Sequence, residues 1–238
     1  MKPETFTELI QQALGDQLIA VVLYGSFAAG DYIEGQSDYN ILLLAKEWRS
    51  VDLDTMRAPL EKWLKAGNPA PLCFTPDRFK DAADVFPMEM LDIAESHRVL
   101  YGEDPVKDIK VDLTHLRHQV EFELRSKLLK LRQTYLQLRK PDKDLHQLLI
   151  DSLSSFQAVC RGALRLFSKE IPTNKLAATS DLGKQLNVPV DSFESIQQLK
   201  KEPSLAKKRD MNELFDRYLS QIETIVDHID ATTPPEKL

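Results

Sequence analysis

Residues 24–40 read YGSFAAGDYIEGQSDYN and hold the side chains best suited to chemistry. Gly25 lets the backbone approach a ligand closely. Ser26 can open a short helix, where free N–H groups and its hydroxyl would face a phosphate. Ser37 stands directly before Asp38. Asp38 and Asn40 are two residues apart, so on a strand they share one face. Two carboxylates so placed could jointly hold Mg²⁺ against a triphosphate. The second position is an amide instead. An amide oxygen can ligate Mg²⁺ but brings no charge.

Other candidates are scattered further along. Glu89, Asp92 and Glu95 recur at helical steps and are a substitute source of a missing acid. His115 and His118, three apart, could share a helix face, but no acid or cysteine cluster accompanies them. Glu121 and Glu123 lie one turn on. Either could serve as a general base toward an acceptor hydroxyl. Glu121 with Arg125 is equally an i,i+4 surface pair. Arg117, Arg125, Lys127, Lys130, Arg132, Arg139 and Lys140 form a basic stretch. It suits an anionic partner, or it is a solvated face balancing an acidic first half.

The elements that must position these residues fall into two kinds. Residues 18–24 (LIAVVLY), 39–45 (YNILLLA), 71–75 (PLCFT) and 98–102 (RVLYG) are short apolar runs and read as strands. Helical spacing predicts helices over 4–14, 52–66, 77–84 and 87–96. From Leu113 the period changes. Leu113, Leu116, Val120, Leu124, Leu128, Leu131, Tyr135 and Leu138 recur at three- and four-residue steps and predict one long amphipathic helix. Further helices are expected over 143–168, 173–187, 193–200 and 209–229. The expected fold class is therefore α/β (α+β): a small mixed sheet unit over 1–110, an all-α helical bundle over 111–232, and a tail over 233–238.

Bulk properties narrow the function classes. The chain has 238 residues and a net charge of −6, which argues against a general nucleic-acid binder. The charge is uneven. Residues 1–114 carry 11 basic and 20 acidic side chains, whereas residues 115–143 carry 8 and 3. The basic helix thus leaves an RNA or nucleotide phosphates open as partners. Cys73 and Cys160 have no metal or redox spacing and read as buried thiols. The opening MKPETFTELI has no signal-peptide core, and no apolar run approaches membrane-spanning length. The expectation is a cytoplasmic protein with no membrane partner.

The stretch LYGSFAAGDYIEGQSDYNILLL resembles the Gly-Ser motif of the polymerase-beta-like nucleotidyltransferase superfamily, of the bacterial aminoglycoside or minimal nucleotidyltransferase type. Several members carry a C-terminal helical bundle that shapes the acceptor site. The resemblance implies that Gly25, Ser26 and Ser37 bind the triphosphate of an NTP. Asp38 matches the first acid of a magnesium-binding pair. Asn40 departs from the pattern at the second, and PLCFT offers no third. The expected catalytic residues are Asp38 and Glu121. Two readings follow. One is a degenerate enzyme, or pseudoenzyme, that binds nucleotide or a partner protein with weak magnesium dependence and little transfer. The other is an active magnesium-dependent enzyme moving NMP to a hydroxyl of a small molecule, protein or RNA. A homodimer is left open.

Overall fold

The computed structural model describes residues 1–25, 27 and 38–233. Ser26, Ser37 and the tail from 234 onward lie outside the described residues. The chain forms two compact units, Met1–Val111 and Asp112–Leu238. The first carries a mixed sheet and the second is helical among its described residues.

Helix α1 (Pro3–Leu14) starts with proline at its first position, where no N–H is needed, and ends at Gly15 with φ 49°. Strand β1 (Leu18–Tyr24) follows and pairs antiparallel with β2 (Asn40–Ala45). The predicted helix over 52–66 is two helices, α2 (Ser50–Thr55) and α3 (Arg57–Lys65). Pro59 explains the break. In one continuous helix its ring would strike the carbonyl of Thr55, four residues back, whereas the first turn of a new helix tolerates it. Strand β3 (Leu72–Phe74) runs parallel to β2. Helices α4 (Pro76–Asp81) and α5 (Pro87–Glu95) lead to β4 (His97–Gly102), antiparallel to β1. The strand order is β3-β2-β1-β4.

Both faces of the two central strands are covered, which is why they read as unbroken apolar runs. On one face Val21, Leu23, Ile41 and Leu43 pack with Phe6 and Ile10 of α1 and Trp63 of α3. The rings of Phe6 and Trp63 stack with centroids 4.4 Å apart, and Trp63 Nε1 donates to the Pro69 carbonyl at 2.7 Å. On the other face Val22, Leu42 and Leu44 pack with Phe79 of α4 and with Met90 and Ile93 of α5.

The second unit opens with α6 (Leu113–Leu136), capped by Asp112, whose Oδ1 accepts from Thr114 N–H at 2.7 Å. Leu116, Val120, Leu124, Leu128 and Leu131 form its buried stripe. Four residues join it to α7 (Pro141–Leu164). Then come α8 (Lys175–Leu186), α9 (Asp191–Lys201) and α10 (Met211–Ala231). Tyr218 of α10 sits edge-on to Phe156 of α7 and Phe193 of α9. Among the described residues no helix is long and apolar enough to cross a membrane.

Gly102 closes β4 with φ 79°, and a Cβ there would come within 2.0 Å of the Ile19 carbonyl oxygen. Gly102→Ala therefore adds an unfavourable backbone angle to a clash with the neighbouring strand. It should lower the unfolding free energy by about 2 kcal/mol or more, measured by urea denaturation. An unchanged midpoint would show that β1 and β4 separate here without cost.

Candidate functional site

The candidate residues gather at one end of the sheet. β1 leaves the sheet at Gly25, whose φ of 84° favours a residue without a side chain. The N–H of Gly25 donates to the Ser96 carbonyl at 3.1 Å. That donor is therefore engaged with the residue before β4 rather than offered to an anion. Any anion-binding N–H groups of this turn must come from the residues after Gly25.

Asn40 opens β2 beside this turn. A Cβ on Gly25 would lie 3.1 Å from Asn40 Nδ2, so the amide rests against the open side of the glycine. The neck of the intervening loop is closed by aromatic contact. Phe27 meets Tyr39 edge-on at 4.9 Å, and the Arg98 guanidinium lies 5.7 Å from the centre of the Phe27 ring. The Tyr39 N–H donates to Asn68 Oδ1 at 3.2 Å. Tyr39 belongs to the α1/α3 face of the sheet. By strand alternation Asn40 faces the other side, with Leu42 and Leu44. Asp38 is exposed just before the strand.

The pairing register adds two residues that sequence reasoning missed. Tyr24 is directly opposite Asn40 on one side and His97 on the other. Paired residues project to the same face, so Asn40, Tyr24 and His97 form a polar row across three strands. His97 Nε2 lies 3.3 Å from Asp104 Oδ2. Burial pushes the Tyr24 phenol up to about 12, and the nearby carboxylates of Glu89 and Asp92 add to the shift. The acids of α5 thus stand within electrostatic reach of the row. No local pattern marked Tyr24 or His97, because they matter only through partners 16 and 73 residues away in the chain.

No family model matches the chain, and no curated protein sequence matches it. Among solved structures it is similar to spectinomycin adenyltransferase AAD(9) from Enterococcus faecialis, determined with ATP and spectinomycin. The TM-score is 0.54 at 12% sequence identity, covering 95% of this chain and 97% of that one. The chain shares the fold of that adenyltransferase.

Within this fold the described donor set for a metal is small. Asp38 supplies a carboxylate and Asn40 a neutral amide turned onto Gly25. Among the described residues no group of three or more His, Cys, Asp or Glu side chains is placed to hold a metal ion. His115 and His118 are both exposed on α6. Among the described residues this donor set does not by itself make up a metal site. Glu121, in the helical unit, is bound on both oxygens: Arg125 Nε donates to Oε1 at 2.8 Å and Arg117 donates to Oε2 at 2.9 Å. Arg125 first, and then Arg117, hold its carboxyl below the usual range against the opposing effect of burial. A carboxylate so held is a weak base. Most of the basic stretch is likewise engaged within its own unit. Arg117, Arg125 and Arg132 reach α10 at Asp230 and Glu223, and Lys127 pairs with Glu123.

The raised phenol gives a pH test. Between its ordinary value of 10 and about 12 the folded state keeps the Tyr24 proton while the unfolded chain releases it. The stability contributed by the neutral phenol is complete below pH 10 and is lost as pH rises through 12. Tyr24 should remain protonated at about pH 11 by tyrosine ring carbon NMR. The double variant Glu89→Gln, Asp92→Asn should lower its midpoint. A midpoint indifferent to both changes would place the α5 acids too far away to act on this row.

Proposed function

We propose that the chain binds a nucleoside triphosphate at the Gly25 turn and has little or no nucleotidyl-transfer activity. The contact between Gly25 and Asn40 carries this reading. At the strand position where the motif calls for a second acid, a neutral amide packs on the glycine of the turn. Asp38 is then the one matched carboxylate, and the Mg²⁺ that would neutralise a triphosphate would be held weakly. The nucleotide site is assigned to the first unit, at Gly25 and Asp38, together with Ser26 and Ser37, which the motif supplies and which lie outside the described residues. The helical unit is assigned to a partner, either a small-molecule acceptor or a protein. The solved neighbour, crystallised with ATP and spectinomycin, supports the ligand class.

A second reading, an active transferase, is favoured by one observation. Glu89 and Asp92 act electrostatically on Tyr24, the strand partner of Asn40. A carboxylate from α5 could then supply the charge that Asn40 lacks and serve as the base toward an acceptor hydroxyl.

Calorimetric titration of ATP with and without Mg²⁺ separates the two. The first reading expects ATP binding that changes little with Mg²⁺. It also expects Asn40→Asp to make that binding Mg²⁺-dependent and about tenfold tighter, since one anionic ligand is restored. Turnover from Mg²⁺-ATP at roughly 1 s⁻¹ or faster, abolished by Asp38→Ala and by Glu89→Gln, would establish the second reading. No ATP binding by either form would remove both.

A further inference from the structure

We infer that the helical unit carries a second small-molecule site, for a zwitterion of amino-acid type with an apolar side chain. It is a cavity of about 360 Å³ between α6 and α7. Two stripes at helical spacing form its walls. Lys127, Lys130 and Leu131 come from α6; Asp151, Ser152 and Phe156 come from α7. Leu131 and Phe156 are buried and make an apolar floor.

The rim has opposite charge on its two sides. On the α6 wall Lys127 is tied to Glu123 at 2.9 Å, while Lys130 has no ion-pair partner among the described residues. On the α7 wall Asp151 is exposed, and Gln147 donates to its Oδ1 at 2.7 Å. Among the described residues the two walls form no ion pair with each other. A polyphosphate would find one uncommitted cation and would meet Asp151. A polycation would meet the lysines. A carboxylate facing Lys130, an ammonium facing Asp151 and an apolar body on the floor would satisfy all three features.

Ser152 adds polarity to the α7 wall. It donates its own proton to the Leu149 carbonyl at 3.0 Å, so its oxygen is left as an acceptor. The buried hydroxyl of Tyr218 lies near the Ser152 side chain. Burial raises this phenol strongly, and the nearby Ser152 hydroxyl opposes the rise.

The test uses the full chain, with L-phenylalanine and L-leucine as probes in saturation-transfer NMR and calorimetry. Both should bind saturably at millimolar concentration. L-Phenylalaninamide, which lacks the carboxylate, and N-acetyl-L-phenylalanine, which lacks the ammonium, should each bind about tenfold more weakly. Lys130→Gln should abolish discrimination against the amide, and Asp151→Asn discrimination against the acetylated form. Both side chains are at the rim, so melting temperatures should not move. The inference is overturned if neither amino acid binds saturably, if the capped probes bind as well as the free ones, or if both variants retain full affinity and discrimination.

Discussion

A missing side chain at one position sets the candidate site. Gly25 turns the chain off β1 in a left-handed conformation, gives its N–H to Ser96, and leaves its α-carbon open to Asn40. A larger residue would have to displace the Asn40 amide and bear the backbone angle as well. The two ends of the loop, Phe27 and Tyr39, are held together by their rings. The turn after β1 and the start of β2 therefore behave as one local unit, although about 15 residues separate them. The chemistry available there depends on what residue 40 brings to that contact.

The sheet gives this end its rigidity. β1 and β2 are buried on both faces, and their side chains divide cleanly between a layer with α1 and α3 and a layer with α4 and α5. A one-residue slip would send every apolar side chain to the other layer. Asn40, Tyr24 and His97 hold their row because the register is set by this packing, well away from the polar end.

The elements were largely legible because both kinds of periodicity are strong. LIAVVLY could hardly be other than a buried strand, and the leucines of α6 mark one helix face for six turns. The split at Met56 was missed: apolar spacing runs straight through 52–66, and the bar that Pro59 sets against a single helix was not weighed. The site was legible only in part. Gly25, Asp38 and Asn40 stand in one local stretch and can be found by spacing. Tyr24, His97 and the α5 acids come together through strand pairing and layer packing, and no local pattern encodes which strand lies beside which. The pairing of Glu121 with Arg125 could be read from i,i+4 spacing, but not the second arginine's share in it or their common reach to α10.

The arginines of α6 also act as a gauge of length. Arg125 meets Asp230 and Arg132 meets Glu223. On each helix the partners are seven residues apart, about 10.5 Å along the axis. Two exposed ion pairs add little to the free energy of folding. What they do contribute is a vernier. A slide of one turn, about 5.4 Å, would strip both charge pairs at once as well as disrupt the packed apolar faces. The buried stripes of α6 and α10 set the register, the two ion pairs agree with it, and the aromatic cluster around Tyr218 is presented at a single depth in the bundle.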